Sequence, residues 1–177
     1  MTIRKSSHSQ KSMGKNSVAI FCDVQNAPKI KEMAKYLLDF AAITLGSVHY
    51  KKLYYNSSFK EQVSIKDKLK LLGFECVNVT DTSENSADYR LVADCVKLFA
   101  PQKFPIPNTV IIVSGDWDYA GLVSVLQAMG KRVIIFAQKG SASTKIAGLI
   151  GSSNFYFVDD LPDLLNNINK LQPDSLV

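Results

Sequence analysis

Apolar and polar residues alternate along the chain in two different patterns. Short, nearly continuous apolar runs at residues 18–22 and 109–113 are typical of strands buried on both faces. Between such runs, apolar residues recur every three or four positions, which predicts helices with one buried face. The first helix follows Pro28 and carries Ile30, Met33, Ala34, Leu37, Leu38 and Ala41. Strands and helices are therefore expected to alternate.

The same alternation continues to the end of the chain. Further strands are predicted at residues 47–55, 74–79, 133–137 and 155–158, and further helices at 60–72, 87–100, 118–129, 144–150 and 161–171. Gly73, Pro101 and Gly130 stand where three of these helices should end. This order predicts an α/β, Rossmann-like fold with a mainly parallel sheet and helices on both faces. Ligands of such sheets bind beyond the carboxyl ends of the strands, where the strand order reverses.

Composition sets the limits of the folded part. The 177 residues are 46% hydrophobic and 21% charged, as expected for one globular domain. Residues 1–16 are basic, Ser-rich and without periodicity, which predicts a disordered basic tail followed by a single domain over 17–177. No apolar stretch is long enough for a membrane span or a secretion signal, so the predicted location is cytoplasmic and no membrane partner is expected. The three cysteines form no Cys-x-x-Cys pair and are predicted to be reduced.

The net charge of +5 is unevenly distributed. Four basic residues precede the first acidic residue and leave the folded part with a net charge of one: Arg4, Lys5, Lys11 and Lys15. Overall charge therefore gives only weak support for nucleic-acid binding by the folded part.

Polar side chains follow the two most continuously apolar strands. Asp23 and Asn26 come after the first, and Ser114, Asp116 and Asp118 come after the second. Because these strands should be central and parallel, their carboxyl ends should bring the side chains together. Each aspartate of the second group also has a simpler interpretation, as a turn residue or as a carboxylate in the first turn of a helix. Ser114 is expected to orient Asp116 or to cap the next helix, and it is also a weaker candidate for contact with the substrate.

Two more aspartates lie on the helix before the second strand. Asp88 falls in the middle of the apolar arc, so it should face the sheet, although Asn85 and Asp88 together also resemble a helix-capping box. Asp94 lies at the edge of the arc, about 9 Å further along the helix axis. It is either part of the site or an ion-pair partner of Arg90 or Lys97.

Carboxylates that converge in this way raise one another's pKa and destabilise the fold unless a cation is bound. Oxygen ligands suit Mg²⁺ or Mn²⁺, and the chain has no loop of EF-hand spacing that would favour Ca²⁺. Such a site activates water and polarises a phosphodiester. The residues therefore predict hydrolysis of a phosphate ester.

Three motifs resemble those of the NYN domain family, the PIN-like nucleases that include LabA-type bacterial proteins. Residues 21–26, Phe-Cys-Asp-Val-Gln-Asn, resemble the family's first strand with Asp-x-x-Asn. Residues 87–94 resemble its Asp-x-x-Leu-x-x-Asp helix, and residues 114–119 resemble its Ser-Gly-Asp-x-Asp-Phe signature. The resemblance extends over about residues 18–165.

This resemblance implies a PIN-like three-layer sandwich that cleaves RNA with Mg²⁺ or Mn²⁺. The implied metal and catalytic residues are Asp23, Asp88, Asp116 and Asp118, with Asn26 and Asp94 in support. Many members carry a lysine shortly before the helix aspartate, whereas here residues 83–86 read Ser-Glu-Asn-Ser. Lys29, Lys51 and Lys52 are candidates to replace it.

Two regions are weaker candidates for contact with RNA. Lys51 and Lys52 are interleaved with aromatic residues in 50–55, as in proteins that stack bases and follow phosphates. The alternative is ordinary packing of a strand with one solvated face. Trp117, between two aspartates of the site, is predicted either to stack on a base or to pack in the core.

Three functions remain open at this point. The first is a metal-dependent ribonuclease. The second is a non-catalytic module that binds RNA or a protein partner in a regulatory role, which the missing lysine would fit; a homo-oligomer is also compatible with the sequence. The third is a phosphatase-like enzyme, which usually has a second carboxylate where this chain has Gln25.

Overall fold

The fold is an α/β structure, seen here in a computed structural model that describes residues 16–81, 83, 85–100 and 106–171. The predicted basic tail, apart from Asn16, lies outside the described residues, as do 172–177 at the end of the predicted domain. Six strands occur among the described residues: β1 (Ser17–Asp23), β2 (Ser47–Tyr55), β3 (Glu75–Asn78), β4 (Thr109–Val113), β5 (Arg132–Ala137) and β6 (Phe155–Phe157).

Six α-helices connect or follow these strands in the described part of the chain. They are α1 (Ile30–Thr44), α2 (Lys60–Leu71), α3 (Ser86–Phe99), α4 (Ala120–Ala128), α5 (Thr144–Ile150) and α6 (Leu161–Leu171). Each corresponds to a helix expected from the sequence. The helix expected at 118–129 is divided, because a 3₁₀ turn at Trp117–Tyr119 precedes α4.

The strands form one sheet in the order β3-β2-β1-β4-β5-β6, and every neighbouring pair is parallel. The predicted α/β class and parallel sheet are thus confirmed. β1 and β4 are adjacent at the centre, as their continuous apolar runs predict. The strand order reverses between them, so the carboxyl ends of β1 and β4 flank the position where such folds bind ligands.

The core has two halves, one on each face of the sheet. Alternate residues of β1 point to opposite faces, so Ile20 packs with α1, α2 and α6, whereas Phe21 packs with α3, α4 and α5. This arrangement gives the three layers. Cys22 and Cys95 are buried and free, and burial raises the pKa of both thiols. No helix in the described ranges has both the length and the apolar character needed to cross a membrane.

Candidate functional site

Three aspartates from separate elements line one pocket at the carboxyl edge of the sheet. Asp23 is the last residue of β1 and is 1% exposed; Asp88 lies in the first turn of α3 and is 8% exposed; Asp116 follows β4. The pocket has a volume of about 480 Å³ and is also lined by Gln25 and Asn26. The structure therefore brings together four of the residues singled out in the sequence: Asp23, Asn26, Asp88 and Asp116.

Asn26 connects two of these carboxylates. Its amide nitrogen donates to Asp23 Oδ2 over 2.7 Å and lies 3.4 Å from Asp116 Oδ2. The other oxygen of Asp23 accepts from the backbone N–H of Gln25 over 3.0 Å. Neutral donors thus stabilise negative charge where the ends of β1 and β4 meet.

Tyr119 performs the same task for Asp88. The side chain of Tyr119 is fully buried, and its hydroxyl oxygen lies 2.5 Å from Asp88 Oδ1 and 3.2 Å from Asp23 Oδ2. Burial and the two carboxylates raise the pKa of Tyr119 well above its usual range, so the phenol stays protonated. Because it has one hydrogen, it donates to only one carboxylate at a time.

The charged forms of Asp23 and Asp88 are nevertheless destabilised. Burial raises the pKa of Asp23 to about 6, and the charge of Asp88 adds to this effect against the hydrogen bonds of Asn26, Gln25 and Tyr119. Burial also raises the pKa of Asp88, as do the charges of Asp116 and Asp118, whereas the hydrogen bond of Tyr119 lowers it. A bound cation would relieve this excess of negative charge.

The donor chemistry fits a hard divalent cation, because carboxylate oxygens are the ligands that Mg²⁺ and Mn²⁺ prefer. No three His, Cys, Asp or Glu side chains within the described ranges are already arranged around one metal position. Instead, Asn26 and Tyr119 lie between the carboxylates. An ion in this pocket would thus use the carboxylate lone pairs that do not accept from Asn26, Tyr119 or the backbone.

The segment after β4 fixes the position of Asp116. The backbone N–H of Asp116 donates to the buried hydroxyl of Ser114 over 3.2 Å, and Asp116 Oδ1 accepts from the backbone N–H of Asp118 over 3.1 Å. Gly115 is needed between them, because a Cβ there would lie 2.7 Å from the Cα of Ala142. Ser114 and Asp118 are thus contacts that orient Asp116.

The side chain of Asp118 lies apart from Asp23 and Asp116. It lines a second, more apolar groove, which it shares with Asp88 and with Tyr89, Val92, Val96, Leu122 and Val125. Asp118 lies within the 3₁₀ turn, whose first residues are capped by the Asp116 carboxylate, which accepts from the backbone N–H of Asp118. Asn85, the predicted capping residue of α3, has a left-handed backbone (φ 62°) and makes no side-chain cap hydrogen bond.

Asp94 belongs to an ion-pair network outside the pocket. Its Oδ2 lies 3.3 Å from Lys52 Nζ and 3.2 Å from the hydroxyl of Tyr54, and its Oδ1 lies 3.5 Å from Arg90 Nε. Burial opposes ionisation of Asp94, but Lys52, Tyr54 and Arg90 outweigh it and lower the pKa. Pairing with Arg90 agrees with the alternative interpretation of this residue from the sequence.

The lysines proposed to replace the family lysine also lie elsewhere. Lys52 pairs with Asp94 and with Glu75 at 3.1 Å, Lys51 donates to the carbonyl of Leu72 at 3.1 Å, and Lys29 pairs with Asp159. The described lining of the pocket includes none of Lys29, Lys51 and Lys52.

Trp117 lies on the surface next to the site and not in the core. It is 41% exposed, and Lys145 Nζ lies 5.9 Å from the centroid of its ring. An exposed ring beside an ammonium group is compatible with stacking on a base.

Sequence reasoning assigned no role to two features of the pocket. Tyr119 stands where the NYN signature has Phe, and the added hydroxyl is the signal that was available. The second feature is the part of the wall formed by Asn56, Phe59 and Gln62, which adjoins Tyr55 of the 50–55 segment already considered for contact with RNA. β2 is parallel to β1 and adjacent to it, so the residues after β2 lie at the same carboxyl edge of the sheet as Asp23. The expectation that ligands bind at this edge therefore applies to these residues as well.

A parallel sheet with aspartates gathered at its carboxyl edge defines the class of the protein: an α/β domain with an acidic site. The NYN domain family model matches residues 17–159, and the chain belongs to this family. The family is part of the PIN-like nuclease superfamily, which indicates a nuclease-type function.

A solved structure shares the fold. The crystal structure of a protein of unknown function from Vibrio parahaemolyticus RIMD 2210633 matches with a TM-score of 0.62 and 25% sequence identity, covering 85% of this chain and 98% of that chain. A search of curated proteins found no match.

Proposed function

We propose that the protein is a metal-dependent ribonuclease that hydrolyses RNA phosphodiester bonds at the acidic pocket. The observation that carries the proposal is the convergence of Asp23, Asp88 and Asp116 from β1, α3 and the segment after β4, in a chain of the NYN family. Asp23 and Asp88 are buried, and buried carboxylates are costly without a cation, which supports a bound metal ion.

Asp23, Asp88 and Asp116 would hold Mg²⁺ or Mn²⁺. When bound, the ion polarises the phosphodiester and lowers the pKa of a water molecule. Asn26 contacts Asp23 and Asp116 and fixes the position of each relative to the other. Tyr119 does the same for Asp88 and Asp23.

The two remaining aspartates have indirect roles. Asp118 adds negative charge near Asp88 and donates its backbone N–H to Asp116. Asp94 supports the site by joining α3 to β2 through Lys52 and Tyr54.

The second candidate is a non-catalytic NYN module that binds RNA or a protein partner in a regulatory role. Two observations favour it. The described residues contain no preformed group of three metal ligands, and Lys29, Lys51 and Lys52 do not line the pocket in the part of the chain that the structure describes.

Cleavage of end-labelled single-stranded RNA in Mn²⁺, Mg²⁺ or EDTA tests the proposal. The wild type should cut RNA only with metal, and Asp116→Asn should abolish cutting because it removes a ligand charge. Asp163→Asn, in α6, is the matched control and should cut as the wild type does. Cutting by Asp116→Asn at the wild-type rate would contradict the assigned site.

A thermal melt separates the two candidates. If metal raises the melting temperature of the wild type, and less so that of Asp23→Asn, the pocket binds the ion. Ion binding without any cleavage would favour the regulatory module.

A further inference from the structure

The pocket has a second wall that differs in chemistry from the acidic one. The end of β2 and the start of α2 supply Tyr55, Asn56, Phe59 and Gln62 to this wall, which we call the amide wall. The acidic and amide walls share one cavity of about 480 Å³, within the range of small-molecule sites, roughly 300–1,000 Å³. A ligand at the aspartates therefore also faces the amide wall.

Phe59 gives the amide wall an exposed aromatic ring. It precedes α2 in extended conformation, and 53% of its surface is exposed. Within the described ranges it packs against no other aromatic ring. A large apolar ring that lines a polar pocket gives planar ligands a surface for stacking.

Asn56 and Gln62 place amide N–H groups in the same wall. The backbone N–H of Asn56 donates to Gln62 Oε1 over 2.8 Å, and that of Ser58 donates to Asn56 Oδ1 over 2.9 Å. Since a backbone N–H requires an acceptor, these contacts determine which end of each amide is oxygen. The NH₂ groups of Asn56 and Gln62 have no hydrogen-bond acceptor among the described residues, so they can donate to a ligand.

Charge restricts what this ligand is. No lysine or arginine is among the described residues that line the pocket, whereas Asp23, Asp81, Asp88 and Asp116 are. A phosphate without a cation would be repelled. The amide wall therefore suits an uncharged planar group with acceptors, and nucleobases carry both carbonyl oxygens and ring nitrogens of that kind.

We propose that Asn56, Phe59 and Gln62 hold an unstacked nucleobase of single-stranded RNA, beside the phosphate that faces the aspartates. The nature of the ligand rests on the proposed ribonuclease function. A base inside a duplex does not present its face to a ring, so the substrate class is single-stranded RNA.

Binding without cleavage tests this inference. The probes are labelled hexauridylate and a hexamer of the same backbone without bases, both with wild-type protein in EDTA. Both carry uncharged methylphosphonate linkages and 2′-O-methyl groups, so that the aspartates do not repel them and they are not cleaved. The wild type should bind hexauridylate more tightly than the abasic hexamer. Phe59→Ala should weaken hexauridylate binding about tenfold, because one base loses its stacking partner. Phe59→Trp should bind as the wild type does.

Two further variants keep the test specific. Asn56→Asp retains the oxygen that accepts from Ser58 but replaces the donor with an anion, so it should also weaken binding. Tyr36→Ala removes an exposed ring of α1 that does not line the pocket, and it should leave binding unchanged. Unchanged melting temperatures would show that both pocket variants remain folded.

Equal binding of the two hexamers by the wild type, or wild-type affinity of both Phe59→Ala and Asn56→Asp, would overturn the inference. Base-dependent binding that Phe59→Ala weakens, in a wild type that never cleaves RNA, would support the nucleobase site and reject the ribonuclease function. Metal-dependent cleavage with an unchanged KM in Phe59→Ala would reject the nucleobase site and retain the ribonuclease.

Discussion

The hydroxyl oxygen of Tyr119 lies 2.5 Å from a carboxylate oxygen of Asp88, in a position where both side chains are buried. The same hydroxyl is 3.2 Å from Asp23, so one neutral donor lies within reach of two acids of the pocket and donates to one of them at a time. It supplies a hydrogen bond where a cation would supply charge. The apo protein thus stabilises its acidic site partly through a residue that is not itself charged.

Replacing Tyr119 with Phe should therefore destabilise the protein in EDTA. We expect the free energy of unfolding to fall by about 1–3 kcal/mol, because buried acceptors lose their donor. Urea denaturation measures this change. Tyr156→Phe is the control, since its hydroxyl donates to the carbonyl of Ser153 at an exposed position and should matter little. Equal stability of Tyr119→Phe and wild type would show that the hydroxyl does not support the carboxylates.

Stability in EDTA should depend on pH through Asp23. Burial raises its pKa from 3.8 to about 6, so the folded chain holds more protons than the unfolded chain between these values. The free energy of unfolding should consequently decrease as the pH rises from about 4 to 6, by about 3 kcal/mol at most. Urea denaturation across this range should show a flatter profile for Asp23→Asn. An equally steep profile in the variant would assign the slope to other groups.

Asp94→Asn should cost stability through the loss of its ion pairs. The Asp94 carboxylate is 11% exposed and accepts from Lys52 and Tyr54, so we expect a loss of about 1–3 kcal/mol at neutral pH. The exposed pair of Lys35 and Asp39 provides the comparison, and Asp39→Asn should change the free energy of unfolding by less than about 1 kcal/mol. Thermal or urea unfolding of both variants checks the difference. Similar small effects would mean that burial adds nothing to the Asp94 network.

Gly115→Ala should displace the segment that carries Asp116. The new Cβ would meet the backbone of Ala142 at 2.7 Å, and we expect a loss of about 1–3 kcal/mol from overpacking together with weaker metal-dependent cleavage. Gly121→Ala, in α4, has nothing within 4 Å of the new Cβ. It should be neutral or slightly stabilising because alanine favours helix. Unfolding curves and RNA cleavage of the two variants measure both effects.

The sequence predicted the fold well because its main signals are strong. The continuous apolar runs of β1 and β4 identified the two central strands, and the helix periodicity predicted a helix just after Pro28, where α1 begins at Ile30. A continuous apolar run indicates a strand buried on both faces, and apolar residues every three or four positions indicate a helix with one buried face. Both patterns can be identified within a short segment of sequence. Because parallel strands end at the same edge of a sheet, the sequence also predicted that Asp23 and Asp116 meet at the carboxyl edge.

The finer geometry of the site depends on turns that periodicity does not record. Asp118 is two residues from Asp116, yet a 3₁₀ turn directs its side chain to the neighbouring groove. The sequence makes Lys52 a candidate for contact with phosphate, whereas the sheet register places it beside Glu75. Partners such as these are far apart in sequence, so spacing alone does not reveal them.

The strand order has a consequence for how the site comes into being. β1 and α3 are synthesised before β4, although β1 and β4 are neighbours in the sheet. A growing chain that ends before β4 holds Asp23 and Asp88 but lacks Asp116. The full set of carboxylates therefore comes together only after β4 has paired with β1, which makes completion of the acidic pocket depend on a contact between distant parts of the chain.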